Sequence, residues 1–169
     1  MPDGEAAFLV NPYSDPVLVK IQGRASFLNA TPVGEFFRQM VGEGKRRFLI
    51  DFEKCTGMDS TFLGILAGAG ISLMKVKPAG QMILSRLSPR NLELVRNLGL
   101  DRLMAIDGEE VLQRLDEATG RLDSKELPHS DAEKARMVLQ AHENLVEIDP
   151  ANAGKFQDVI AFLRNQAES

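Results

Sequence analysis

One cysteine, two histidines and no long apolar run are what this 169-residue sequence holds for disulfides, metals and membranes. With Cys55 alone there is no disulfide within the chain, which fits a reduced, cytoplasmic setting. No Cys/His cluster has metal-ligand spacing, so no metal and no cofactor are expected. His129 sits beside a proline in a polar stretch. His142 falls on the apolar stripe of a helical pattern, where a histidine is more often a core or interface residue than a catalytic one. Basic runs stop at "KRR" (residues 45–47) and the net charge is −4, so the footprint of a nucleic-acid binder is missing. The start, "MPDGEAAFLV", lacks the basic and long apolar parts of a signal peptide. The most apolar stretch, residues 61–74, is too short and glycine-rich for a membrane span. The glycines of "GILAGAG" (residues 64–70) lie inside a helical pattern with no Lys-Ser/Thr after them, so they are not a phosphate loop. They read as small residues that let a helix lie close to a sheet. With no acid–base or nucleophile–base pair visible, an enzyme is the weakest reading.

The chain does hold enough to fold. It is 44% hydrophobic and 26% charged, which allows a globular core and argues against wholesale disorder. "AAFLV" (residues 6–10) and "VLVKIQ" (17–22) read as strands joined by the turn chemistry of "NPYSDP", hence a hairpin and a sheet that is not purely parallel. "TPVGEFFRQMVGEG" (31–44) reads as a helix with Thr31 as cap and Pro32 in the first turn. "RFLIDF" (47–52) reads as a buried strand. A helix follows from about Ser60 to Lys75, then a strand "QMILS" (81–85) and a helix "SPRNLELVRNLG" (88–99) that starts on a cap and a proline. "RLMAI" (102–106) reads as a last strand and residues 108–118 as a last helix. Strands alternating with helices give an α/β fold: a mixed sheet covered by helices. Residues 1–118 form this domain. The polar "TGRLDSKELPHSD" reads as a linker (119–130). Two apolar stripes in residues 131–169 give a C-terminal helical hairpin. That hairpin has too little core to stand alone, so it docks on the domain or on a second subunit, which leaves a homo-oligomer open.

Asp59, Ser60 and Thr61 open an otherwise apolar helix. They lie at the carboxyl end of a strand, where open α/β sheets place ligand sites, and Asp51 could approach them. By spacing alone, Asp59 or Ser60 as a plain helix cap is the better reading.

"FLIDFEKCTGMDSTFLGIL" (48–66) resembles the signature of the STAS domain: a hydrophobic strand ending in Asp, a short loop, then Asp-Ser-Ser/Thr-Gly-Leu-Gly at a helix start. The resemblance runs from residue 6 to 118, through "LSPRNLELVRNLGLDRLMAID". It implies an anti-sigma-factor antagonist, a non-enzymatic, phosphorylation-controlled protein-binding switch in the cytoplasm. Unmodified, such a protein binds an anti-sigma factor that is also a serine kinase. Phosphorylated on the serine after the Asp, here Ser60, it lets go, and a phosphatase resets it. The resemblance places Asp59, Thr61, Phe62 and Ser26 at the partner surface. Two positions depart from the signature. Phe62 replaces the usual Gly and is expected to be partly exposed, although periodicity allows it in the core. Ser26 in "GRAS" replaces an Asp. The altered loop and the tail keep a second reading open: a non-catalytic STAS interaction subunit of a lipid-transport ATPase or of a signalling scaffold.

Overall fold

A computed structural model describes residues 7–106, 109–114, 120–122 and 130–167. Most of the expected linker, with His129, lies outside them, as do residues 1–6, 107–108, 115–119 and 168–169. The elements run β1 (Ala7–Asn11), β2 (Val17–Ala25), α1 (Thr31–Gly42), β3 (Arg47–Met58), α2 (Ser60–Lys75), β4 (Gln81–Ser85) and α3 (Pro89–Asn97). A 3-10 turn (Leu100–Arg102), β5 (Ala105–Ile106), α4 (Glu109–Arg114), β6 (Gly120–Arg121), α5 (Asp131–Ile148) and α6 (Asn152–Ala167) complete it.

The six strands make one mixed sheet in the order β5-β4-β3-β2-β1-β6. β2, β3, β4 and β5 are parallel, while β1 pairs antiparallel with both β2 and β6. Alternation along the strands divides the apolar residues between the faces. Val17, Val19, Ile21, Phe48, Ile50, Phe52, Met82 and Leu84 join the main core, together with buried residues of α1 and α2. Leu18, Leu49 and Ile83 point the other way and pack against Ala105 of β5 and Leu112 of α4.

Several elements depart from the sequence expectation. β3 runs past Phe52 to Met58, because its polar continuation "EKCTG" keeps pairing with β2 through two register irregularities. Asp51 therefore does not approach Asp59. Six residues of strand lie between it and Met58, a rise of about 23 Å at ~3.3 Å per residue. Asp51 is instead buried against Arg86, whose Nε and Nη2 donate to its two carboxylate oxygens at 3.0 and 2.6 Å. Arg86 also pairs with Glu53. To reach both, Arg86 holds a left-handed backbone (φ 57°), costly for a residue with a Cβ. α1 is capped at Ala30 with no side-chain cap, since Thr31 is already helical. The expected strand 102–106 is a 3-10 turn followed by two strand residues. It follows Gly99, whose φ of 80° ends α3 in a conformation open to glycine. Gly120 and Arg121, read as linker, pair with β1.

Candidate functional site

α2 begins on a true side-chain cap. Asp59 is extended (φ −107°, ψ 174°), and its Oδ1 accepts from the Phe62 N–H at 2.9 Å. Its Oδ2 accepts from the Phe27 N–H at 2.8 Å, and its own N–H donates to the Ala25 carbonyl at 3.1 Å. One carboxylate thus ties the start of α2 to the turn after β2.

Ser26, Phe27, Leu28 and Asn29 form that turn. The Ser26 N–H donates to Asn29 Oδ1 at 3.0 Å, and Ser26 Oγ accepts from the Leu28 N–H at 3.3 Å. Ser26 is buried and spends its side chain on this turn. Phe27 and Leu28 are 52% and 68% exposed, an apolar pair beside the α2 start. Sequence reasoning missed them, although an apolar pair inside a polar turn is a usable signal.

Ser60, the first residue of α2, is half-buried, and its Oγ lies 2.8 Å from His142 Nε2 on α5. His142 Nδ1 lies 2.7 Å from the Val138 carbonyl, which can only accept, so Nδ1 carries the proton. In the neutral ring Nε2 then accepts the Ser60 O–H. The ring is buried and packs edge-on against Phe156 at 5.0 Å. A hydroxyl and an imidazole at this distance form a nucleophile–base pair that no local sequence pattern shows, since 82 residues separate them.

The structure overturns the expected exposure of Phe62. It is fully buried and stacks on Phe8 of β1, with ring centroids 6.0 Å apart and planes within 8°. It shares its helix face with Leu66 and Leu73, so an aromatic at the position of the usual Gly fills core rather than surface. Thr61 is buried as well. Of the five residues expected at the site, the structure brings Ser60 and Asp59 to one rim beside the Ser26 turn. Phe62 and Thr61 turn inward.

The glycine stripe of α2 also has a different role from the one expected. A Cβ on Gly64 would overlap the Ala141 carbonyl and stand 2.7 Å from the Ala141 Cβ, and one on Gly68 would strike the Asn144 amide. Both glycines face α5, not the sheet. Asn144 Nδ2 donates to the Gly64 carbonyl at 3.1 Å. Beside this contact, α1, α2 and α5 leave an apolar groove of about 830 Å³ lined by Phe37, Val41, Ile65, Ala69, Met137 and Ala141 among others. Cys55 lies buried behind the site, and that burial pushes its thiol pKa up. Among the described residues no group of three His, Cys, Asp or Glu could hold a metal ion, and no helix is long and apolar enough to cross a membrane.

Residues 8–118 match the STAS domain, well over half of the chain. The chain belongs to the STAS family. Among solved structures, its fold resembles the anti-sigma factor antagonist SpoIIAA in its unphosphorylated form, at 21% identity and a TM-score of 0.52, over 64% of this chain and 96% of that one. It resembles the Bacillus cell fate determinant SpoIIAA in the phosphorylated form at 22% identity and a TM-score of 0.53, over 65% of this chain and 100% of the other. An anti-sigma factor antagonist from Mycobacterium paratuberculosis matches at 20% identity and a TM-score of 0.54, over 67% and 95%. No curated protein matches this chain. The STAS match stops before α5, so α5, which meets Ser60, and α6 lie outside the matched domain.

Proposed function

We propose that this STAS protein is a phosphorylation-controlled, non-enzymatic binding switch of the anti-sigma-factor antagonist type. Unmodified, it binds an anti-sigma factor that is also a serine kinase. Phosphorylated on Ser60, it releases that partner, and a phosphatase restores binding. The ATP comes from the kinase, and the setting is the cytoplasm.

The observation that carries this reading is the place of Ser60. It is the first residue of α2, directly after the capping Asp59 and beside the exposed Phe27 and Leu28. A phosphate there adds about −1.5 to −2 charge. The N–H groups of the first helical turn and the helix dipole favour an anion, while the Asp59 carboxylate repels it. The surface beside Phe27 and Leu28 changes sign of preference while the fold stays intact. The SpoIIAA structures, one phosphorylated and one not, support the same reading by analogy.

The test is to incubate the full chain with its cognate kinase and ATP and to map the phosphate by mass spectrometry. Phosphate on Ser60, absent from Ser60→Ala, is the expected result. Phosphate only at Thr61, or none at either residue even when α5 is loosened by Gly64→Ala, sinks the switch. The contact of Ser60 with His142 favours the second reading, a STAS interaction subunit of a lipid-transport ATPase or scaffold in which Ser60 is never modified.

A further inference from the structure

The face of α2 that carries Ser60, Gly64 and Gly68 is covered by α5, a helix outside the STAS match. At the closest approach Gly64 meets Ala141, so the two helix backbones come nearer than ordinary side chains permit. On either side of that point a polar side chain of α5 takes a group of α2. His142 Nε2 takes the Ser60 hydroxyl at 2.8 Å, and Asn144 Nδ2 donates to the Gly64 carbonyl at 3.1 Å. α5 therefore recognises the start of α2 in detail, and the group it holds is the hydroxyl proposed as the phosphorylation site.

The rest of the hairpin is anchored at its turn, where Leu145 is fully buried in the main core with Ile148 and Phe156 packed against it, and loosely elsewhere. α5 buries Ala135, Ala141, His142 and Leu145. Along α6 only Asn152 is fully buried, its Nδ2 donating to the Leu98 and Leu145 carbonyls at 2.9 and 2.8 Å, while Val159 and Phe162 stay exposed. Lys155 reaches the Asn97 carbonyl at 2.5 Å, and Arg102 stands 3.6 Å from Asp149. The Lys155 contact is exposed, and an exposed Arg102 reaches a half-buried Asp149, so water competes for both. A groove separates α5 from α1, so α5 rests mainly on α2.

The geometry points to the α5–α6 hairpin as an intramolecular competitor for the Ser60 surface: it occupies the face a kinase or binding partner needs, and it must lift off α2 before Ser60 can be modified. This rests on Ser60 being the site of the switch. The two states compete for the same hydroxyl. Ser60 Oγ stands at hydrogen-bond distance from a buried imidazole, so a phosphoryl group there adds bulk and charge at the α2–α5 contact and shifts the hairpin toward the open state. By linkage, whatever opens the hairpin favours modification, and modification favours opening.

Gly64→Ala tests this in the full chain. The added methyl strikes Ala141 on α5, while alanine suits the helix better than glycine, so α2 keeps its core face. Amide hydrogen exchange across residues 131–148 is expected to quicken about tenfold or more, with β3 and β4 unchanged. Access to the site is read without any kinase by Ser60→Cys, alkylated with a maleimide alone and combined with Gly64→Ala. Rates are taken across a pH series and expressed per thiolate, which removes the effect of the neighbouring imidazole. The unsubstituted protein, with only Cys55, supplies the blank. The proposal expects alkylation to quicken about tenfold in the double variant. If α5 loosens and the alkylation rate does not change, the hairpin does not guard the site and the proposal falls. If α5 exchange itself is unchanged, it falls too. Should Gly64→Ala not fold, His142→Ala with Asn144→Ala removes both polar contacts without adding bulk and faces the same two readouts. A protein that passes them and yet takes no phosphate from its kinase overturns the phosphorylation reading and leaves the competitor standing.

Discussion

Asp59 satisfies two readings at once. As a cap it accepts the Phe62 N–H, and as a tether it accepts the Phe27 N–H from the turn after β2. Asp59→Ala is expected to cost about 1–2 kcal/mol in chemical denaturation, the range of a lost N-cap, and to loosen the Phe27–Leu28 turn. Asp59→Asn should recover part of the stability, because its single carbonyl oxygen replaces only one of the two acceptors. Phe62 behaves as core. Phe62→Ala should cost about 3–5 kcal/mol while the folded fraction keeps its partner affinity, which a titration at a temperature well below the midpoint can read. Cys55 is buried with its thiol pKa pushed up, so in native protein it should alkylate far more slowly than a free thiol and reach the free rate only in denaturant. The cap at Asp59 was legible because capping is local. The burial of Phe62 was legible only as one of two options, since the helix stripe admits it and the facing Phe8 lies 54 residues away.

Among the elements, β3 and α2 show where local pattern stops being informative. The segment "EKCTG" has the polarity of a loop, yet β2 pairs along it, and tertiary pairing outweighs composition. The same extension moves Asp51 away from the site and leaves it buried under Arg86. Asp51 raises the guanidinium pKa through their hydrogen bonds, so Arg86 keeps its charge. Arg86→Ala strands a buried carboxylate and is expected to destabilise by about 3 kcal/mol. Arg86→Gly relieves the left-handed backbone but loses the same pair, so it should fall between alanine and the native protein by an amount equal to the relieved strain. In α2 the glycine stripe was visible in the sequence as a place of close approach. Which neighbour approaches was not, because a small residue records a distance and not the identity of what fills it.

At the scale of the molecule, a STAS domain carries a helical hairpin on the helix that opens with its signature motif. Leu145 sits fully buried in the main core, with Ile148 and Phe156 packed against it. A chain ending at Leu122 keeps β6 on β1 and should still fold. It is expected to lose about 2 kcal/mol or more, the worth of burying Leu145 and its neighbours, and to expose Gly64 and Gly68 of α2. Calorimetry and solution mass together check this: a truncated chain of unchanged stability would mean that the hairpin contributes no net binding energy to the domain.

The sequence by itself determined the class of the fold, the order of its helices and strands apart from β6, the hairpin at the end and the Asp-Ser-Thr start of α2. Each is written in patterns that close within a few residues: period-two and helical stripes, caps before prolines, a motif between a strand and a helix. Only the tertiary structure decided that β3 runs on past Asp51, that Phe62 faces inward, and that Gly64 and Gly68 of α2 make room for α5. It also decided that His142 holds Ser60. These depend on what packs across tens of residues, where a side chain's neighbour is set by the docking of whole elements and no local period carries its identity.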